Sequence, residues 1–211
     1  NEHVTVFESA LYRTTSTVLQ TSEIILIVDP NWLPHEVAEI RKHVDEIKDD
    51  RPILLLFTHS DYDHIIGYRA FPEAKVIASK ALVDNPNWES QINAIFDFDE
   101  KFYINRSYDI QYPFDPDIII SEEGQQIKLG EVTISFYDAK GHNADGLFTI
   151  VQPLGIFIAG DYFSNIEFPF IYYSSEAYLD SLNKIETFLT RYRITMTIPG
   201  HGDCCFNNGE L

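Results

Sequence analysis

The segment His59-Ser60-Asp61-Tyr62-Asp63-His64 places two imidazoles and two carboxylates within six residues. Nitrogen and oxygen donors of this kind suit zinc, manganese or iron. Three more residues of the same chemistry lie far downstream, each just after a short apolar run. His142 follows Val132 to Asp138 through Lys140-Gly141, Asp161 follows Gly155 to Ala159 through Gly160, and His201 follows Thr195 to Ile198 through Pro199-Gly200. No Lys or Arg lies within the first cluster. Asp61, Asp63 and Asp161 gathered in one place would repel one another unless a cation sat between them, and divalent metal ions supply that charge.

For these residues to meet, the runs before them must be neighbouring strands whose C-terminal ends align, since such sheet edges are where loops are shaped for binding. The patterning agrees. Alternation over His3 to Glu8, a Thr-rich apolar stretch over Leu11 to Gln20 and a β-branched run over Glu23 to Asp29 predict three opening strands. Pro34 to Asp49 carries Val37, Ile40, Val44 and Ile47 three or four apart, the stripe of an amphipathic helix. Ile53 to Thr58 reads as a strand buried on both faces, Asp63 to Ala70 as a short helix and Lys75 to Ala78 as a strand. Ala81 to Ser121 is irregular and rich in aromatic residues, with a helix expected over Trp88 to Ile95. Strands follow at Gln125 to Leu129, Val132 to Asp138, Gly146 to Val151 and Gly155 to Ala159, then a helix at Ser174 to Tyr192 and a last strand at Thr195 to Ile198. Sheets with helices outside them predict a layered α/β or α+β architecture, here as one domain over residues 1–211.

Composition limits the partners. The 211 residues carry a formal net charge of −18, and no cluster of Lys or Arg offers the cationic surface that phosphate backbones or anionic lipids require. A small-molecule substrate is therefore expected, with neither nucleic acid nor membrane as a partner. No apolar stretch approaches the roughly 20 residues of a membrane-spanning helix. The only cysteines, Cys204 and Cys205, are adjacent and do not form a disulfide framework. With no basic-then-apolar leader at Asn1, a cytoplasmic location is the expectation.

Taken in order, the motifs resemble those of the metallo-β-lactamase superfamily. The His59 to His64 cluster resembles its His-x-His-x-Asp-His signature, and Asp29, Gly141-His142, Gly160-Asp161 and Pro199-Gly200-His201-Gly202 stand in the context of the other motifs. One short motif is weak evidence, whereas five in order are specific. The resemblance implies an α+β fold, a four-layer αββα sandwich with a dinuclear metal site at one edge of two packed sheets. Carried over position by position, His59, Asp61 and His142 would hold the first ion, Asp63, His64 and His201 the second, and Asp161 would bridge them. Asp63 would also be the catalytic carboxylate. The resemblance further implies two divalent ions, zinc first with iron or manganese as alternatives, and a variable aromatic-rich insertion at about residues 84–121.

Asp61 departs from the signature, which has a second histidine there. A carboxylate makes the first site harder and weakens the preference for zinc relative to manganese or iron. Either it binds metal or it accepts a hydrogen bond from a ligand histidine. The leading expectation is a metal-dependent hydrolase, in which two ions lower the pKa of a bound water to give hydroxide for attack on a small ester, lactone, thioester or phosphoester-type substrate. Flavodiiron proteins, a redox branch of the superfamily, carry Glu at the equivalent place, so a di-iron oxidoreductase is the second reading; a non-enzymatic metal-binding module is the third. Tyr62, Tyr162 and Phe163 are expected to line the substrate cleft, with Phe168, Phe170, Tyr172 and Tyr173 as another wall. His3, His35 and His43 are read as surface or core residues, and the two cysteines as packing residues near the rim.

Overall fold

Apolar residues on both faces of consecutive strands mean that each sheet is covered on both sides, and the computed structural model, which describes residues 3–206, is built that way. Strands β1 (Val4–Glu8), β2 (Thr15–Gln20) and β3 (Ile25–Val28) are antiparallel neighbours. Helix α1 (Pro34–Ile47) then crosses over, so that β4 (Ile53–Leu56) pairs parallel to β3 with Val28 opposite Leu56. Short α2 (Tyr62–Ile65), strand β5 (Lys75–Ser79), α3 (Lys80–Val83), α4 (Trp88–Phe102) and β6 (Ile118–Ile120) complete the first half, whose six strands lie in the order β1-β2-β3-β4-β5-β6. The second half supplies β7 (Gln126–Leu129), β8 (Val132–Asp138), β9 (Leu147–Gln152), β10 (Ile156–Gly160), α5 (Ser175–Arg191), β11 (Met196–Pro199) and β12 (Cys205–Phe206). Its sheet runs β12-β11-β10-β9-β8-β7, with β10 and β11 parallel.

Side chains alternate along each strand, so one β-branched run fills two cores. Leu26 and Val28 of β3 face inward to meet Ile134, Phe136 and Ile156 of the second sheet, in the layer between the sheets. Ile25 and Ile27 face outward against Val37, Ile40 and Val44 of α1 and Ile92 and Ile95 of α4. On the far side, Phe148, Ile150 and Phe157 pack against Ile185 and Phe188 of α5. The layers are helix, sheet, sheet, helix: the αββα sandwich.

Three local differences from the expected elements have physical causes. The helix expected over Asp63 to Ala70 splits into α2 and a 3-10 turn at Tyr68–Ala70. A Cβ at Gly67 would lie 2.0 Å from the carbonyl oxygen of Pro30, so only glycine lets the chain pass there. Helix α4 continues beyond Ile95 to Phe102, because Phe98 packs its ring 4.4 Å from that of the buried Trp32. Elements α3, β6 and β12 were not expected; at two to four residues each they carry too little periodicity to read. No described helix is long and apolar enough to cross a membrane.

Candidate metal centre

The C-terminal ends of β4, β10 and β11 deliver His59, Asp161 and His201, the β8–β9 loop delivers His142, and α2 starts immediately after Asp61 to present Asp63 and His64. The β1–β2 hairpin closes over the His201 loop. Thr15 donates its N–H to Gly200 O at 2.7 Å and its hydroxyl to Pro199 O at 2.6 Å, while Gly202 N–H donates to Arg13 O at 3.0 Å. Gly200 is required by close approach, since a Cβ there would lie 2.0 Å from Asp161 Oδ1.

All four histidines use Nδ1 outward and turn Nε2 inward. His64 Nδ1 donates to Asp29 Oδ2 at 3.0 Å, His142 Nδ1 to Phe170 O at 2.5 Å and His201 Nδ1 to Tyr12 O at 2.9 Å. His59 Nδ1 donates to Thr58 Oγ1 at 3.0 Å, and that hydroxyl donates in turn to Asp29 Oδ2 at 2.5 Å. Acceptors on one ring nitrogen fix the tautomer and turn the other toward the site, where His142 Nε2 lies 3.0 Å from Asp61 Oδ2.

The inward atoms form two sets. His59, Asp61, His142 and Asp161 offer donor atoms all within 4.8 Å of one another, as do Asp63, His64 and His201. Asp161 reaches both sets: Oδ2 is 3.5 Å from His59 Nε2 and 3.3 Å from His142 Nε2, and Oδ1 is 3.2 Å from His64 Nε2. Two donors each about 2.1 Å from one ion, at the angles of tetrahedral to octahedral coordination, stand about 3 to 3.7 Å apart. Asp61 Oδ2 to His59 Nε2 at 3.7 Å, His64 Nε2 to Asp63 Oδ2 at 3.7 Å and His201 Nε2 to Asp63 Oδ2 at 3.6 Å fit that spacing and are too long for hydrogen bonds. His59 Nε2, His64 Nε2 and Asp161 Oδ1 are buried without a hydrogen-bond partner. Orphaned buried donors facing buried carboxylates are what a cation between them would satisfy, so these residues fit divalent metal.

The electrostatics agree. Burial pushes the His59 and His64 imidazoles down, yet the Asp161 charge, helped by Asp61 and Asp63, lifts both above the ordinary histidine range. His201 is lifted likewise, against burial, by Asp161. Burial raises the carboxyls of Asp61 and Asp161, but His142 and His59 hold Asp61 down and His64 and His59 hold Asp161 well down. The cluster is poised to keep carboxylates ionised against positive charge.

The remaining expected residues are distributed differently. Tyr62 is half-buried, its ring edge-on to Trp32 at 5.6 Å and its N–H donated to Gln91 Oε1. Tyr162 is 2% exposed and stacked on Tyr178 at 4.5 Å, with its hydroxyl donated to Lys140 O; it is a core residue rather than a cleft wall. Phe163 packs in the same core beside Phe157. The Tyr162 ring is taken up beneath α5, while Phe163 is half-buried against Phe157 of β10. The wall instead comes from the 166–173 segment, where Tyr172 lies 5.4 Å from the His142 ring and donates its N–H to His142 O at 2.9 Å. A cavity of about 190 Å³ opens beside it, lined by Ser60, Asn85, Gln91, Asn143, Tyr172 and Tyr173 among others. Cys204 packs against the inter-sheet core, and neither cysteine joins a donor set among the described residues.

Sequence reasoning missed three residues. Asn143 Nδ2 donates to Asp61 Oδ1 at 2.6 Å and Gln91 Nε2 to the same oxygen at 3.4 Å, which leaves Oδ2 facing the donor set. Glu167 Oε2 lies 3.7 Å from His201 Nε2. Burial raises the Glu167 carboxyl, with Asp161 and Asp63 adding to the shift against His201. Asn143 sits one residue past the Gly141-His142 motif, whereas nothing in the sequence around Glu167 marks it.

Comparison with known proteins gives matches within one superfamily. The family model described as the metallo-beta-lactamase superfamily matches residues 11–201. A metallo-beta-lactamase type 2 from Bacillus sp. (strain 170) is 23% identical over 193 residues, which cover 88% of this chain; the chain spans 65% of that relative's length. Among solved structures, the BLEG-1 B3 metallo-beta-lactamase superposes with a TM-score of 0.68 at 18% identity, covering 96% of this chain and 93% of its own. ETHE1 from Myxococcus xanthus gives 0.64 at 16% identity, covering 95% of this chain and 76% of its own. At these identities the two structures share the fold.

Proposed function

Because the chain belongs to the metallo-beta-lactamase superfamily, whose members are generally metal-dependent hydrolases, we propose that it hydrolyses a small ester, lactone, thioester or phosphoester-type molecule with two divalent ions. The observation that carries this reading is the convergence of four Nε2 atoms on two donor sets that share Asp161. In this assignment His59, Asp61 and His142 would hold one ion and Asp63, His64 and His201 the other, with Asp161 shared between them. Divalent ions held by these residues would supply Lewis acidity toward the scissile group and a water of lowered pKa.

The chain's own residues supply the rest. Asp63 turns Oδ2 to His64 and His201 and, as the catalytic carboxylate, would orient a water held in the site. Asp61 has Oδ1 held by Asn143 and Gln91 and Oδ2 3.0 Å from His142 Nε2, an orientation that supports reading Oδ2 as a metal ligand. The cavity beside Asp61 offers amide and hydroxyl groups to the polar part of a substrate, and Tyr172 an aromatic face to its apolar part. The formal charge of −18 over the whole chain disfavours polyanions.

The test is a rate screen of the metal-loaded protein with esters, lactones, thioesters and phosphodiesters beside a His59→Ala control, with metal content measured on the same samples. Turnover lost in the control supports the reading and equal rates in both would sink it. Redox-active iron in place of zinc or manganese would turn it into the di-iron oxidoreductase.

A further inference from the structure

We infer that Glu167 is an eighth protein donor, a carboxylate that joins the metal centre beside His201 and Asp161. The inference rests on the dinuclear reading above. The Glu167 side chain is 19% exposed and reaches in from the segment between β10 and α5, with Oε2 3.7 Å from His201 Nε2. That is too far for a hydrogen bond and right for two donors on one ion. Asp161, Glu167 and His201 offer atoms mutually within 4.8 Å, so the carboxylate enters at the corner where the two sets meet.

The approach is built. Ser164 Oγ accepts the N–H groups of Ile166 and Glu167 at 3.3 and 3.0 Å, turning the chain so that residue 167 faces the site while Ile166 and Phe168 face solvent. Asn165 ties the start of the segment to the His201 loop: its Oδ1 accepts Asp203 N–H at 3.0 Å and its Nδ2 donates to Asp203 Oδ2 at 2.7 Å. Phe170 O and Tyr172 N–H tie its end to His142. Glu167 thus hangs from a strap anchored beside one ligand histidine of each set, and its carboxylate makes no hydrogen bond among the described residues. His201 Nε2 stands 3.7 Å from Glu167 Oε2 and 3.5 Å from Asp161 Oδ2, so the three donors converge there.

The consequence is chemical. With Glu167 the His201 side of the centre gains a carboxylate in addition to Asp63 and the shared Asp161, while the first set keeps Asp61 and Asp161. Four carboxylates balance the four positive charges of two divalent ions. Oxygen-rich sets of high coordination number favour manganese or ferrous iron over tetrahedral zinc.

Equilibrium dialysis of wild type, Glu167→Gln and Glu167→Asp against manganese and against zinc, with the visible spectrum of the cobalt(II)-loaded proteins, tests this. Losing a direct ligand should cost at least the about 10-fold in affinity that an outer hydrogen-bond partner costs. The expected result is that both variants lose that much affinity for one manganese equivalent and keep the other, lose less for zinc, and show stronger cobalt bands as one ion drops in coordination number. Circular dichroism of the metal-free variants separates this from misfolding, which the aspartate variant, keeping the charge, would escape. Wild-type affinities for both equivalents with an unchanged cobalt spectrum overturn the inference alone. A wild-type chain that binds fewer than two ions overturns the dinuclear reading and the inference with it.

Discussion

Asp29 and His64, 35 residues apart in sequence, meet at 3.0 Å in a buried contact in which the imidazole Nδ1–H donates to the carboxylate. The same carboxylate takes the Thr58 N–H at 2.9 Å and the Thr58 hydroxyl at 2.5 Å, and that hydroxyl accepts from His59 Nδ1. One residue at the end of β3 therefore orients a histidine of each donor set, through β4 alongside it. Parallel pairing of β3 with β4 makes this reach available.

Asp29→Asn puts an amide where three donors converge, so at least one of them faces an N–H₂ group. Metal affinity should fall about 10- to 100-fold, the range found for hydrogen-bond partners of ligand histidines. Chelator competition measures it, and unchanged affinity for both ions would show that His64 and His59 are oriented without Asp29.

Asp61→His restores the nitrogen found in the family signature. The ratio of zinc to manganese affinity should rise, because an imidazole replaces the hard oxygen of Oδ2. Asn143 and Gln91 lose the acceptor they share, and leaving such donors unsatisfied costs about 1–3 kcal/mol of stability. Competitive dialysis and a thermal melt read the two effects; a selectivity ratio equal to wild type would place Asp61 outside the coordination sphere.

What the sequence made legible follows from periodicity and from motif spacing. Ile25 to Val28 and Ile53 to Leu56 are continuous apolar runs because each faces two cores, and His59, Asp161 and His201 are readable because each directly follows such a run. Glu167 stands seven residues past the end of β10, in a segment whose exposed aromatic residues look like surface, and only the Ser164 turn and the two anchors bring it inward. The same blindness misplaced Tyr162: adjacency to Asp161 says nothing about which way a ring points, and stacking on Tyr178 of α5 turned it into the core.

Tyr172→Ala tests the aromatic wall. The ring is 68% exposed and lies against His142, while the backbone N–H that anchors the strap survives the substitution. Losing an aromatic contact of about 1 kcal/mol should raise KM about fivefold and leave kcat and metal content near wild type. A lowered kcat with unchanged KM would mean that the ring acts on the chemistry instead of on binding.

Glu36 sets the pH dependence of the fold away from the metals. Its carboxylate accepts the N–H of Leu33 at 2.9 Å at the start of α1, the N–H of Ala10 at 2.8 Å and the Ser9 hydroxyl at 2.8 Å, linking that helix to the β1–β2 hairpin. Burial raises the carboxyl, but these donors outweigh it and hold it below the ordinary value of 4.5. A group depressed in the folded state stabilises the fold above its unfolded pKa, and that contribution fades as the pH falls through the folded value. Glu36→Gln should therefore cost most near neutral pH, about 1 kcal/mol after discounting for its partial exposure. The gap between variant and wild type should narrow as the pH drops below 4.5. Urea unfolding at pH 7 and at pH 3.5 measures both gaps; a difference that stays constant or widens toward acid would show that the Glu36 charge is not what holds the hairpin to α1.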